Sequence, residues 1–237
     1  MSIAKIVKTR DDVLKLLKGK VGPFYLAGGT ALSLFYFKHR ESYDLDFFAK
    51  DFSRKRAEDI IELIKGSFGI PVELVEQKFS KDMAKIMVYY AKIDKNTSLK
   101  IDFVEDFFPL IEEVASFNEI PVMSIPDIYI RKIYACCGTF EMISESGKKV
   151  FTGGRQESKD FFDLYFLSQT FMPLSKFVHK YGDASIKERL IIWYRKYDRF
   201  HMKSGLLEII TDKVVNYNEM ERHFKSEIER MIEEDII

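Results

Sequence analysis

The stretch from Phe24 to Phe48 constrains the fold of this chain more than any other part of the sequence. It begins with a short apolar run, Phe24–Ala27, passes through two glycines into a helical run, and ends with the alternating segment Asp44–Phe48. Side chains of a strand alternate between its two faces, so Asp44 and Asp46 point to one face and the apolar residues beside them point to the other. We therefore predict a buried strand, a glycine turn, a helix and a second strand that carries two carboxylates.

The two neighbouring carboxylates indicate a cation site. Like charges repel one another and are costly to remove from water, and Mg²⁺ prefers carboxylate oxygens together with substrate phosphates. The backbone N–H groups of Gly28 and Gly29 lie at the predicted start of a helix, where phosphate oxygens bind readily, and Thr30 adds a hydroxyl donor. We predict that Asp44 and Asp46 bind Mg²⁺ or Mn²⁺ and that the glycine turn binds the phosphate oxygens of a substrate.

A later predicted strand, Ser98–Val104, carries a third carboxylate. Its apolar residues at positions 99, 101 and 103 face one way, whereas Lys100 and Asp102 face the other. An aspartate in this position is either a solvated edge residue or, beside a second acidic strand, a further metal ligand. We favour the second interpretation and predict that Asp102 completes the metal site, with a possible second role as a base.

The string GGTALSL, followed by HR-x-S-x-DLDFF, resembles the AbiEii/AbiGii-type toxin family of the polymerase-beta-like minimal nucleotidyltransferase superfamily. The resemblance implies a metal-dependent enzyme that transfers a nucleoside monophosphate from a nucleoside triphosphate. It implies that Asp44, Asp46 and Asp102 are the catalytic metal ligands. It also implies that Arg40 and Ser42 bind the nucleotide through its phosphates, although the sequence alone allows Arg40 to face solvent.

Two segments of the second half resemble further family motifs. IRKIYA resembles the lysine helix of the family, and SKDFFDL resembles its RDxxDL helix, with Lys159 in place of the arginine. The resemblance implies that Lys132 is a catalytic and nucleotide-binding residue that meets triphosphate charge, and that Asp160 positions it. Asp163 shares a helix face with Asp160. The alternative is a purely structural ion pair between Lys132 and Asp160.

The order of the patterns predicts an α+β fold, with a nucleotidyltransferase-like mixed sheet flanked by helices and followed by a helical C-terminal half. The strand-like runs after the acidic strand are Val72–Phe79, Met83–Ala91, Ser98–Val104 and the short segment 120–123. Residues 94–96 are predicted to form a hairpin turn, and residues 148–156 a loop. We predict a nucleotidyltransferase core at 1–124 and a helical domain at 125–237 that completes the active-site cleft.

Composition limits the cellular setting. Lys plus Arg and Asp plus Glu both number 37 in 237 residues, so a nucleic-acid site has to be a local patch. No apolar run reaches transmembrane length, and no signal-peptide pattern stands at the start, so no membrane partner is expected. The two cysteines, Cys136 and Cys137, are adjacent and cannot cross-link the fold, which indicates a reducing, cytoplasmic compartment.

The acceptor of the transferred group is left open between several classes. The resemblance implies RNA, with tRNA ends favoured, or a protein hydroxyl, and a cognate antitoxin as protein partner. The segment Trp193–Lys203 mixes cations with aromatics, which suits a nucleic-acid strand but is also common in amphipathic helices. The alternatives are a small-molecule nucleotidyltransferase of the antibiotic-modifying kind and a catalytically inactive nucleotide-binding module.

Overall fold

The structure of the protein, a computed structural model, describes residues 2–79, 83–143, 145, 147 and 149–233. The chain divides into two compact units, Met1–Ile125 and Pro126–Ile237. The first is built around a sheet with helices, and the second consists mainly of helices. The predicted α+β class, with a mixed sheet followed by a helical half, is confirmed.

The first unit contains a seven-stranded mixed sheet. Its strands are β1 Tyr25–Ala27, β2 Leu45–Ala49, β3 Val72–Lys78, β4 Ile86–Asp94, β5 Thr97–Glu105, β6 Ala115–Phe117 and β7 Ile120–Val122. Their order in the sheet is β3-β4-β5-β2-β1-β7-β6. Strand β2 pairs antiparallel with β1 and parallel with β5, so it lies between two partners near the middle of the sheet.

Three helical segments belong to the same unit. They are α1 Ser2–Leu16, α2 Gly28–Ala31 with its π-helical continuation Leu32–Phe37, and α3 Arg54–Phe68. Helix α3 begins where the Ser53 hydroxyl accepts a hydrogen bond from the Arg56 N–H, and it ends at Gly69, whose φ is 62°. Its buried residues are Ala57, Ile60, Ile61 and Ile64, the apolar face that helical spacing predicts.

Strict alternation along β2 and β5 builds the core beneath the acidic residues. On β2, Leu45, Phe47 and Ala49 are buried while the residues between them are partly exposed. Phe103 of β5 stacks on Phe47 with ring centroids 5.6 Å apart, and each fully buried phenylalanine stabilises the fold by roughly 1.5–3 kcal/mol. The predicted hairpin between β4 and β5 is confirmed, with Lys95 and Asn96 at the turn.

The second unit consists of six helices in the described ranges and one short hairpin. The helices are α4 Ile125–Cys137, α5 Ser158–Thr170, α6 Leu174–Tyr181, α7 Ala184–Lys196, α8 Arg199–Gly205, which runs on as a 3₁₀ turn Leu206–Glu208, and α9 Tyr217–Glu233. Their centre is aromatic: the Phe161 ring packs against Trp193, Tyr197, Tyr217 and Phe224. Cys136 and Cys137 are buried and free of disulfides.

The hairpin corrects one expectation about this unit. Strands β8 Phe140–Ile143 and β9 Lys149–Thr152 pair antiparallel, so the stretch 149–152 is a strand rather than part of the predicted loop. A two-stranded hairpin has one neighbour per strand, and such short strands carry little periodic signal in the sequence. Residue 148, the first residue of the predicted loop, lies outside the described residues.

Candidate active site

The predicted carboxylate ligands lie on or next to two neighbouring strands of the sheet, β2 and β5. Asp46 stands directly opposite Asp102 in the parallel β2–β5 ladder. Asp44 lies two residues before Asp46, just ahead of β2. Lys100 shares the face of β5 that carries Asp102, and both residues are partly buried. We call Asp44, Asp46, Asp102 and Lys100 the acidic cluster.

The glycine turn lies against this cluster without any side chain between them. Gly28 has a φ of 68°, a conformation that favours glycine, and it opens helix α2. A Cβ atom at Gly28 would collide with Oδ2 of Asp46 and would lie 3.2 Å from its Cγ. The Asp46 carboxylate therefore packs on bare backbone at the start of the helix, where the helix dipole favours negative charge.

The second glycine, Gly29, is covered by Arg40 and Ser42, which are predicted to bind phosphate. A Cβ atom at Gly29 would collide with Nη2 of Arg40 and would lie 3.1 Å from Oγ of Ser42. Arg40 and Ser42 are both buried, with 9% and 8% of their surface exposed. Arg40 therefore lies over the glycine turn and does not extend into solvent, which removes the alternative that the sequence left open for it.

Thr30 connects the glycine turn to the acidic strand. Its side chain is fully buried, and its hydroxyl lies 2.9 Å from Oγ of Ser42 and hydrogen-bonds the backbone carbonyl of Asp44. A hydroxyl has one proton to donate. As these side chains stand, Thr30 holds the turn and the strand together; its predicted contact with phosphate stays a prediction.

Arg10 of helix α1 also supports this region, and the sequence did not single it out. Its guanidinium is 3% exposed and donates a hydrogen bond to the backbone carbonyl of Ser42. Arg10 also pairs with Asp11, at 2.8 Å. The contact with Ser42 joins residues 32 positions apart in the chain, so no local sequence pattern could predict it.

Asp102 is bound on one side and unpaired on the other. The ammonium of Lys100 donates a hydrogen bond to its Oδ2, whereas its buried Oδ1 accepts no hydrogen bond. Burial raises the pKa of the Asp102 carboxyl; the hydrogen bond from Lys100 lowers it, and the negative charge of Asp44 raises it again. The buried, unpaired oxygen is available to a further ligand.

The donor chemistry of the acidic cluster fits a hard divalent cation. Its three carboxylates supply the oxygen ligands that Mg²⁺ and Mn²⁺ prefer, and Oδ1 of Asp102 has no competing hydrogen-bond donor. Within the described ranges, however, no group of three or more His, Cys, Asp or Glu side chains is arranged so that it could hold a metal ion. Asp102 is instead hydrogen-bonded to Lys100, and the metal site stays a prediction.

The second unit holds a different set of charges. Nζ of Lys132 lies 2.6 Å from Oδ1 of Asp160 and 2.6 Å from Oδ2 of Asp163. Both aspartates are fully buried, and Lys132 is 5% exposed. The ion pair that the sequence offered as the structural alternative is therefore present, and it includes Asp163 as well as Asp160.

Arg155 completes this second set, and the sequence did not identify it. Its Nη2 donates a hydrogen bond to Oδ1 of Asp160 at 3.0 Å, and its Nε donates to Oδ2. Burial raises the pKa of Asp160, but the charges of Lys132 and Arg155 outweigh it and lower the pKa below its usual value. We call Lys132, Arg155, Asp160 and Asp163 the paired cluster.

A known family matches nearly the whole length of the chain. The model of the "Nucleotidyl transferase AbiEii toxin, Type IV TA system" family matches residues 17–236 of the 237. The chain belongs to the AbiEii nucleotidyltransferase toxin family. This membership covers both units of the chain, so the acidic cluster and the paired cluster both lie inside the AbiEii match.

The AbiEii chain also has a relative of nearly equal length. It is 26% identical over 244 aligned positions to the uncharacterized protein aq_aa25 of Aquifex aeolicus, covering 97% of this chain and 98% of that protein. The two sequences therefore align over nearly their whole lengths.

Two solved structures share the fold. The AbiEii chain superposes on JHP933 from Helicobacter pylori with a TM-score of 0.55, at 18% identity, covering 96% of this chain and 94% of that one. It superposes on MenT4, a nucleotidyltransferase toxin from Mycobacterium tuberculosis, with a TM-score of 0.55, at 13% identity, covering 97% and 83%. The AbiEii chain thus has the fold of a nucleotidyltransferase toxin. Among its described helices, none combines the length and apolar character needed to cross a bilayer.

Proposed function

We propose that this AbiEii chain transfers a nucleoside monophosphate from a nucleoside triphosphate to an acceptor hydroxyl, and that it acts as the toxin of a toxin–antitoxin pair. One observation carries the proposal: the Asp46 carboxylate lies against the bare backbone of Gly28 and directly opposite Asp102. This arrangement places carboxylates next to a helix N-terminus, where phosphate and a metal ion can meet.

Different residues of the first unit bind the phosphates and accept the proton. The N–H groups at the glycine turn and the Arg40 guanidinium bind phosphate oxygens. The acceptor oxygen attacks the α-phosphorus, the bond from that phosphorus to the bridging oxygen breaks, and pyrophosphate leaves. Asp102, whose pKa is raised by burial, takes the proton of the acceptor hydroxyl.

Mg²⁺ or Mn²⁺, held by Asp44, Asp46 and Asp102, would neutralise triphosphate charge and acidify the acceptor hydroxyl. Catalysis of this kind depends mainly on positioning and on charge stabilisation. We further propose that Lys132 contributes positive charge toward the leaving pyrophosphate and that Asp160 positions the Lys132 ammonium, at 2.6 Å.

RNA, with a tRNA end as the favoured case, is the proposed acceptor. The segment that mixes cations and aromatics divides into a buried part, with Trp193 and Tyr197, and an exposed part. Phe200 on α8 is 82% exposed, and Lys196 and Lys203 are exposed nearby in the chain. A phenylalanine that solvent reaches, flanked by cations, offers a stacking surface for a base and charge for a phosphate backbone.

The central experiment measures transfer. Each α-³²P-labelled nucleoside triphosphate is offered with total tRNA and Mg²⁺ to the wild type, to Asp46→Asn and to the control Asp59→Asn, an exposed carboxylate on α3. We expect label in tRNA with the wild type and the control. With Asp46→Asn, the transfer rate should fall by at least about 100-fold, as for other charge-stabilising groups. Full activity in Asp46→Asn would contradict the proposal.

Two further measurements address the acceptor and the toxin role. Phe200→Ala is expected to raise KM for tRNA with little change in kcat, because stacking contributes about 1–3 kcal/mol per base; an unchanged KM would remove this residue from the RNA site.

Expression of the wild type in a host is expected to stop growth, whereas expression of Asp46→Asn is expected to leave growth unaffected. A cognate antitoxin should then restore growth to cells that express the wild type.

A further inference from the structure

Lys100 is the positive charge built into the acidic cluster. It stands two residues before Asp102 on β5 and faces the same side of the strand. Its ammonium donates a hydrogen bond to Oδ2 of Asp102, and the side chain keeps 31% of its surface exposed. Lys100 therefore contacts the cluster while part of its side chain reaches solvent.

Lys100 brings positive charge to the predicted metal ligands. Its ammonium donates a hydrogen bond to Asp102, and Asp102 stands opposite Asp46 in the β2–β5 ladder. Lys100 thus places an ammonium where a divalent cation would otherwise supply positive charge.

Asp102 shows that this compensation is incomplete. Its Oδ1 is buried and accepts no hydrogen bond, which is a costly state for a carboxylate oxygen. At the same time, no group of three His, Cys, Asp or Glu residues in the described part of the chain is placed to hold a metal ion. The hydrogen bond from Lys100 withholds one oxygen of Asp102 from a cation, while the other oxygen accepts no hydrogen bond.

We propose that Lys100 is an internal counter-ion that competes with the divalent cation for Asp102, so that the cation binds tightly only when Lys100 is released. The inference rests on the proposed function, because it assumes that the acidic cluster binds the metal of a nucleotidyl transfer. The triphosphate of the substrate supplies negative charge that can accept the released ammonium. Lys100 thereby makes metal binding depend on the nucleotide.

The test measures metal binding directly and does not depend on catalysis. Mn²⁺ is titrated, without nucleotide, into the wild type, Lys100→Met and Lys100→Arg, and free Mn²⁺ is followed by electron paramagnetic resonance. We expect Lys100→Met to bind Mn²⁺ at least about tenfold more tightly, since removing one neighbouring positive charge changes a binding constant by this order. Lys100→Arg keeps the charge and should bind as weakly as the wild type.

A control and a second readout support the interpretation. Lys92→Met removes an exposed lysine of β4 that pairs with Glu73, at 2.6 Å, and should leave Mn²⁺ affinity unchanged. Without metal, Lys100→Met should melt at a lower temperature than the wild type because its carboxylates repel one another. Saturating Mn²⁺ should remove this difference in melting temperature.

The possible outcomes distinguish a failure of the inference about Lys100 from a failure of the proposed nucleotidyl transfer. Equal Mn²⁺ affinity in the wild type and Lys100→Met, with transfer activity present in the wild type, would overturn the role of Lys100 and leave the proposed function intact. Absence of Mn²⁺ binding in every variant, with and without a nucleoside triphosphate, would overturn both.

Discussion

The acidic cluster and the paired cluster, one in each unit, hold their charges in opposite ways. The acidic cluster has three carboxylates and one ammonium, and a buried oxygen of Asp102 accepts no hydrogen bond. The paired cluster has two carboxylates with one ammonium and one guanidinium, and its Lys132 contacts both aspartates. The first set is short of positive charge, whereas the second is neutral within itself.

This difference indicates what each cluster contributes to the molecule. The buried Oδ1 of Asp102 accepts no hydrogen bond, which is unfavourable for folding alone, so the acidic cluster is arranged for a ligand that brings positive charge. Fully buried ions that are paired with one another cost much less to bury, and removing one partner exposes the remaining charge to a low dielectric. The paired cluster therefore affects stability as well as any nucleotide that it meets.

The largest stability effect is expected at Lys132. Lys132→Met removes the ammonium that contacts both buried aspartates, so the free energy of unfolding should fall by about 3–5 kcal/mol. Urea denaturation measures it. The control is Lys225→Met on α9, whose 3.8 Å pair with Glu229 is exposed and should not contribute measurably. Unchanged stability in Lys132→Met would break the comparison, because Lys132 would then act on substrate alone.

Gly28 tests the acidic cluster through backbone geometry. Gly28→Ala combines a positive φ with a collision against Asp46, so we expect a stability loss of about 1–2 kcal/mol and a loss of transfer activity. Gly66→Ala is the matched control: it lies inside α3, has nothing within 4 Å of the added methyl, and should stabilise the protein by about 0.5–1 kcal/mol. Equal behaviour of the two variants in thermal denaturation would contradict this account of Gly28.

Arg155 should matter less for stability than Lys132. Its side chain is 54% exposed, so solvent screens its contact with Asp160, and Arg155→Ala is expected to cost only about 1 kcal/mol. Arg195→Ala, which removes an exposed arginine of α7, serves as the reference in the same denaturation series. If Arg155→Ala lowered the free energy of unfolding as much as Lys132→Met, the guanidinium would stabilise the paired cluster as strongly as the ammonium, which would contradict this prediction.

The smallest expected effect is a pH dependence of stability from the paired cluster. Because Lys132 and Arg155 lower the pKa of Asp160 below its usual 3.8, its contribution is complete above that value and is lost as the pH falls through the lower pKa of the folded state. Melting temperatures from about pH 5 to about pH 3 should therefore fall more steeply in the wild type than in Asp160→Asn. Parallel curves would contradict the assignment.

Local periodicity alone was sufficient for much of the first unit. Alternation along β2 and β5 placed Asp46 and Asp102 on polar faces above a buried core, and the structure sets them opposite one another. The turn residues at 94–96 predicted the β4–β5 hairpin from equally local information. Both the side-chain direction along a strand and the position of a tight turn are determined by neighbouring residues.

The choice of charge partners was decided only by the tertiary structure. Lys132 meets Asp160 across 28 positions of the chain, and Arg10 meets Ser42 across 32. The sequence named Lys132 and Asp160 but could not establish that they pair, and it did not indicate Arg10 or Arg155. The alternation of a strand is a local property, whereas an ion pair depends on which distant groups the folded chain brings within a few ångströms, and its strength depends on how far the fold excludes water from them.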